Sequence, residues 1–319
     1  MSSEGRSVEH VYKKGGTYEA KLTVNDNWGL PCSISTDTVN VSLNKQPQAV
    51  AGEDISTCTG SEVIFDGWRS RGEEKSNLNY NWDFGDGATS QGKSVKHTYQ
   101  KGGKYEVILT VDDGKSKKCS AAIDKLVATV NTPPVAKLAA VGPVCVNTEV
   151  NFNASDSSDA DNNPLKYIWN FGDGTTVEGP AKISHTYKTG GEYNVSVTVD
   201  DQTKSSCAKD TQSIKLRVNR PPVADAGPNL VCCIGTESKF DGSGSTDPDL
   251  DALTYTWDFG DGNSAQGVKA KHIYTKVGKY TVTLTVKDNS GTPCDTAKDT
   301  FEATVHDKPV SVIEIKEKR

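Results

Sequence analysis

Three hexapeptides, WDFGDG at 82–87, WNFGDG at 169–174 and WDFGDG at 257–262, set polar side chains three residues apart behind a tryptophan. A carboxylate pair at this spacing can act as general acid and base, ligate a cation, or hold a turn. Asn170 stands where the other copies have Asp83 and Asp258, so acid–base work does not fit all three. The turn reading does fit. Each Asp-Gly step supplies a side chain that accepts from nearby backbone N–H groups, then a residue that tolerates positive φ. Trp82 continues the strand alternation of Leu78 and Tyr80, which directs its indole into a core, as it does for Trp169 and Trp257. A structural role is therefore expected for Trp82, Asp83, Asp86, Trp169, Asp173, Trp257, Asp258 and Asp261, with no catalytic residue among them.

Two further loops are rich in carboxylates: STDPDLDAL, with Asp247, Asp249 and Asp251, and SSDADNNPL, with Asp156, Asp159 and Asp161. Such crowding of oxygen ligands suits a hard cation, weak Ca²⁺ binding above all. A solvated acidic loop is the competing reading. The equivalent stretch WRSRGEEKSNL carries Arg and Lys instead, so no cation is expected there. Four histidines, His10, His97, His185 and His272, share one phase of the sequence. Equivalent positions in strung modules lie too far apart to converge on a metal, so each is read as structural.

The elements that must position these residues repeat as well. Trp82, Trp169 and Trp257 are 87 and 88 residues apart, and Pro47, Pro134, Pro222 and Pro309 mark linkers at the same step. Residues 46–132, 133–219 and 220–307 read as complete modules; 1–45 reads as the second half of one, and 308–319 as a linker or the start of another. A composition with 29 Gly, 13 Pro and alternating β-branched runs such as YEVILTV is all-β. Short strands between turn clusters give each module some seven strands in an antiparallel sandwich. The formal charge of −6, without a basic stripe, argues against a nucleic-acid surface. The apolar runs are strand-length, so no membrane span is expected, and the first residues are unlike a secretory signal.

These motifs together resemble the PKD (polycystic kidney disease) domain family: PPVA…AG at module entry, FDGSGSTDPD, WDFGDG, KHTY or SHTY or KHIY, and GGKYEVILTVDD. The resemblance implies tandem immunoglobulin-like β-sandwiches in a linear array, in a cell-surface or secreted setting. It implies no catalytic role for WDFGDG and no required cofactor, and some relatives bind Ca²⁺ near the acidic loop. Tyr18, Tyr105, Tyr193 and Tyr280, each two residues after a glycine, resemble the tyrosine corner of such sandwiches.

On that strand map the eight cysteines fall at two phases, with Cys232 extra: Cys58, Cys145 and Cys233 early, and Cys32, Cys119, Cys207 and Cys294 late. Their recurrence points to disulfides and an oxidising compartment. The two phases lie at opposite ends of one sandwich, farther apart than the roughly 7 Å between Cα atoms that a disulfide spans. Bridges at the junction between modules are then expected, Cys58 with Cys207 and Cys145 with Cys294. In-module pairing, such as Cys58 with Cys119, is the alternative. Cys233 is left without a junction partner, for which Cys32 of a following copy is a candidate.

The expected function is a non-enzymatic extracellular structural or adhesive array that associates with protein, whether copies of itself or neighbouring modules. The alternative is an accessory glycan- or protein-binding region of a larger secreted hydrolase, or a receptor ectodomain. The incomplete module at 7–44 is explained either by a longer array or by separate chains completing one another head to tail.

Overall fold

The computed structural model describes residues 3–72, 77–115, 119–309 and 311–314. Among the described residues every regular element is a strand. The first repeat contributes β1 (Gly16–Asn25) and β2 (Ile34–Leu43), an antiparallel pair. The second contributes β3 (Ile55–Cys58), β4 (Glu62–Asp66), β5 (Asn79–Asp83), β6 (Thr89–Gln91), β7 (Ser94–Thr98), β8 (Gly103–Asp112) and β9 (Ala121–Asn131). The third contributes β10 (Val144–Cys145), β11 (Glu149–Asn153), β12 (Lys166–Asn170), β13 (Thr176–Gly179), β14 (Lys182–Thr186), β15 (Gly191–Asp200) and β16 (Lys209–Asn219). The fourth contributes β17 (Leu230–Cys233), β18 (Glu237–Asp241), β19 (Thr254–Asp258), β20 (Ser264–Gln266), β21 (Lys269–Ile273), β22 (Gly278–Lys287) and β23 (Thr296–His306).

Each complete repeat closes one five-stranded and one two-stranded sheet, in the orders β3-β9-β8-β5-β6 with β4-β7, β10-β16-β15-β12-β13 with β11-β14, and β17-β23-β22-β19-β20 with β18-β21. In one respect this differs from an antiparallel sandwich. The short early strand runs parallel to the last one, with Cys58 opposite Asn131, Cys145 opposite Asn219 and Cys233 opposite His306. The chain enters along the edge of the five-stranded sheet before crossing to the other, so its first strand needs no hairpin.

Alternation sets the core. Along β8, Val107, Leu109 and Val111 are fully buried while their neighbours face outward. Phe65, Trp82, Phe84 and Tyr99 fill the space between the two sheets, and Phe152, Trp169, Phe171, Tyr187 and Phe240, Trp257, Phe259, Tyr274 repeat the set. Burying each such aromatic contributes at least about 1.5–3 kcal/mol.

The chain divides into two compact units. The first holds Met1–Pro134 with Asp159–Pro164 and Asp201–Lys209; the second holds Val135–Ser158, Leu165–Asp200 and Asp210–Arg319. Among the described residues no helix is long and apolar enough to cross a membrane.

Candidate functional site: turns and repeat junctions

The tryptophan hexapeptides are turn clamps. Trp82, Trp169 and Trp257 are fully buried, and their indole N–H groups donate to the carbonyls of Gly92, Pro180 and Gly267. Asp83 Oδ1 accepts from the Gly85 N–H at 3.0 Å, Asp258 from Gly260 at 2.9 Å, and Asn170 Oδ1 from Gly172 at 2.9 Å. An amide oxygen does this work as well as a carboxylate, which is why Asn170 is tolerated. A Cβ on Gly85 would lie 2.6 Å from the Glu106 carbonyl, and its φ of +79° is in the left-handed region, so glycine is required.

The second acidic residue has a larger part, and it takes a histidine with it. Asp86 Oδ1 accepts from the Ala88 N–H while its Oδ2 accepts from His97 Nε2 at 2.7 Å. Asp173 with His185 and Asp261 with His272 repeat the pair at 2.7 Å. Each imidazole stacks on the phenylalanine of the hexapeptide, His97 on Phe84 at 4.1 Å and His272 on Phe259 at 4.3 Å between ring centres. Burial by itself would raise the Asp261 carboxyl. The hydrogen bonds from His272 and the Asn263 N–H together outweigh it and leave the group below its ordinary value. Burial beside the Asp261 charge pushes the Tyr274 hydroxyl up to about 12, and that hydroxyl donates to the Phe259 carbonyl. The tryptophan N–H, the first Asp or Asn and the second Asp of each motif thus serve turns, strands and the histidine. The Asp–His pairing escaped the sequence reading, although the spacings of 11, 12 and 11 residues carry the signal. The other tyrosine set behaves as corners: Tyr18, Tyr105, Tyr193 and Tyr280 donate to the carbonyl four residues upstream.

A second recurrent constellation lies where one repeat follows another. In the first unit, Asn131 at the end of β9 donates Nδ2 to Asp201 Oδ2 at 2.8 Å, and Cys58 is bonded to Cys207 with Cα atoms 6.2 Å apart. Thr132 donates its N–H and hydroxyl to Asp161. In the second unit, Asn219 at the end of β16 donates to Asp288 Oδ2 at 2.8 Å, and Cys145 is bonded to Cys294 at 6.1 Å. There Arg220 donates its N–H and Nε to Asp249. The sequence offered Asp161 and Asp249 as cation ligands; the structure gives them to the chain leaving the preceding repeat. Cys32, Cys119, Cys232 and Cys233 are free thiols.

The remaining acidic residues divide. Asp247, Asp251 and Asp288 bring carboxylate oxygens within 4.8 Å of one another. Asp247 Oδ1 accepts from the Asp249 and Asp251 N–H groups, while its Oδ2 is buried without a hydrogen-bond partner, as is Asn219 Oδ1. Asp251 pairs with Arg217. Orphaned acceptors beside clustered carboxylates fit a hard cation. In the third repeat Asp159 Oδ2 is likewise buried and orphaned, but Asn163 stands where the fourth repeat has Asp251, and Asp156 is exposed. The equivalent stretch of the second repeat, with its Arg and Lys, falls partly on residues 73–76, outside the described residues.

A family model described as PKD domain matches residues 1–41, 44–128, 131–216 and 219–305. Among curated proteins, the chain is 41% identical over 105 residues to "Collagenase ColA" of Clostridium perfringens, covering 31% of this chain and 10% of that protein. It is 27% identical to "Dyslexia-associated protein KIAA0319-like protein" of Mus musculus, over 94% of this chain and 31% of that one. To human "Polycystin-1" it is 26% identical, over 91% of this chain and 6% of that one. The chain thus spans less than a third of the length of these relatives. Among solved structures, the N-terminal eight Ig domains of Down Syndrome Cell Adhesion Molecule isoform 1.30.30 superpose with a TM-score of 0.53 at 12% identity, covering 92% of this chain and 40% of that one. That likeness shows the fold, an immunoglobulin-like sandwich. Four matched segments that tile the sequence place this chain in the PKD domain family.

Proposed function

We propose that this chain is a non-enzymatic structural or adhesive region of an extracellular or cell-surface protein, associating with protein through its repeats. The observation that carries this is the junction: a disulfide, a buried Asn–Asp hydrogen bond and a backbone-to-carboxylate contact recur where one repeat follows another. Conserving relative position in this way serves a spacer or scaffold under load. A catalyst needs an uncommitted acid, base or nucleophile, whereas the hexapeptide carboxylates are spent on turns and histidines. Disulfides persist in oxidising compartments, which supports the extracellular setting.

The test is adhesion against turnover. Beads coated with the oxidised protein should cluster or bind immobilised protein ligands, and pre-reduction should weaken that binding. Hydrolysis of a peptide or glycan substrate, lost in a folded Asp261→Asn variant, would contradict the proposal.

A second reading concerns calcium, favoured by the orphaned Asp247 Oδ2 and Asn219 Oδ1. Asp247, Asp251 and Asp288 would hold the ion, with Asn219 contributing from β16. The ion's two charges, with Arg217 on Asp251, would balance three clustered carboxylates and tie the fourth repeat to the strand that precedes it. Asp249, Asp161 and Asp156 are not part of this site.

A further inference from the structure

Two exposed apolar side chains sit where other repeats carry polar ones, and each is held on a pinned turn. The first is Trp68, 59% exposed just after β4. Its N–H donates to Asp66 Oδ1 at 3.0 Å, the Ser70 N–H donates to the Gly67 carbonyl at 2.9 Å, and Ser70 Oγ accepts from the Val50 N–H at 3.0 Å. Arg71 and Gln48 then exchange backbone hydrogen bonds, so both ends of the turn are tied down. The Arg69 guanidinium lies 5.2 Å over the indole, and Ile64 on the outward side of β4 is 64% exposed. The third and fourth repeats have Ser155 and Ser243 in place of Trp68, and Asn151 and Lys239 in place of Ile64. Ser155 and Ser243 are exposed in repeats that follow complete ones, so this position is open whatever precedes it.

The second is Leu250, 91% exposed in the acidic loop between β18 and β19. Its φ of +64° is in the left-handed region, which asparagine adopts readily and leucine rarely; the third repeat has Asn162 there, at +62°. The loop imposes this conformation. The Leu250 N–H donates to the Asp247 carbonyl at 3.1 Å, and Asp247 Oδ1 accepts from the N–H groups of Asp249 and Asp251 on either side. A leucine here is both strained and uncovered, a cost that a contact would offset.

The charges around the two side chains differ in sign. Arg69, Arg71 and Lys93 are exposed at the Trp68 turn, Lys93 accepting from the Gly67 N–H through its carbonyl, and the carboxylate bonded to that turn is Asp66. At the Leu250 loop the carboxylates of Asp247, Asp249, Asp251 and Asp288 are set against two arginines, Arg217 and Arg220.

We propose that Leu250 of one copy of this chain docks against Trp68 and Arg69 of another, a head-to-tail contact through which copies associate. The proposal rests on the adhesive reading above and names its partner. Tryptophan and arginine are enriched among the residues that dominate interface energies, and a contact between pinned turns loses little conformational freedom on forming. Opposite charge steers the acidic loop to the basic turn. Because the two surfaces differ, each contact leaves one Leu250 and one Trp68 free, and association continues copy by copy.

Sedimentation of the full chain tests this, with its free thiols alkylated and a calcium chelator present so that the loop keeps its charge. The wild type should associate beyond the dimer as concentration rises, and less so at high salt. Trp68→Ser and Leu250→Asn each follow another repeat at that position, so both should keep the melting temperature while weakening association at least about tenfold. Mixed one to one, the two variants should form dimers and nothing larger, since each retains the surface that the other has lost. A wild type that stays monomeric at millimolar concentration, variants that associate as the wild type does, or a mixture that stays monomeric would overturn the proposal. If the wild type is monomeric while beads coated with it bind immobilised protein, only the contact between copies falls; if the beads fail as well, the adhesive reading falls with it.

Discussion

Asn219 donates its side-chain amide to Asp288 across 2.8 Å, and the two residues are 0% and 4% exposed. The donor ends the last strand of one repeat and the acceptor opens a loop of the next. A hydrogen bond to a buried carboxylate is worth about 1.5–3 kcal/mol, and removing one partner leaves the other desolvated. The Ser290 N–H on Asp288 Oδ1 does not replace it.

Asn219→Ala is therefore expected to destabilise the chain by about 2 kcal/mol, with Asn131→Ala behaving alike because Asp201 is only 2% exposed. Chemical denaturation checks this, and Asn40→Ala on exposed β2 is the control, with a change within about 0.5 kcal/mol.

The acid limb of stability should follow the Asp–His pairs. Asp86, Asp173 and Asp261 are held below the ordinary carboxyl value when folded, against their burial, by hydrogen bonds from backbone N–H groups and from His97, His185 and His272. A depressed folded value contributes stability that is present above the unfolded value of about 4 and is lost as pH falls through the folded one. Melting temperature should hold from neutral pH to about 5 and fall below about 4. Asp261→Asn should cost about 1 kcal/mol of stability at neutral pH, lowering the melting-temperature plateau, and make the acid limb shallower.

These pairs also mark what the sequence could convey. Alternation along YEVILTV read as strand, alternation up to Trp82 directed its indole into a core, and the recurring Asp-Gly steps placed the turns, because all three depend on neighbours close in the chain. His97 was legible as structural but not as the partner of Asp86, since that contact depends on β7 crossing beside the turn. Asn131 and Asn219 were missed, although an asparagine precedes the linker proline at three of the four linkers, His306 standing at the fourth. Their acceptors lie 70 and 69 residues downstream, in the next repeat, beyond any local pattern. Asp161 and Asp249 looked like cation ligands from composition. The backbone N–H groups of Thr132 and Arg220, arriving from the preceding repeat, donate to them, a contact that composition does not reveal. The parallel pairing of β3 with β9 was hidden because a four-residue strand reads the same in either direction.

Calcium gives a separable outcome. Millimolar Ca²⁺ should raise the melting temperature of the full chain, and Asp247→Asn should abolish most of the rise while leaving the chain folded. Asp249→Asn should leave the calcium response in place, since Asp249 serves Arg220. Equal responses in both variants would remove the site.

Each disulfide closes a separation of 149 residues. Loop-closure entropy for a span of that length is worth up to about 5 kcal/mol in the unfolded chain. Reduction, or Cys145→Ser with Cys294→Ser, should lower the denaturation midpoint accordingly and extend the chain further under force.

Disulfide mapping by mass spectrometry of the non-reduced protein tests the central claim most directly, since bridges between repeats distinguish a locked array from independent beads. Peptides joining Cys58 to Cys207 and Cys145 to Cys294 are the predicted result. Peptides joining Cys58 to Cys119 and Cys145 to Cys207, each within one repeat, would contradict it.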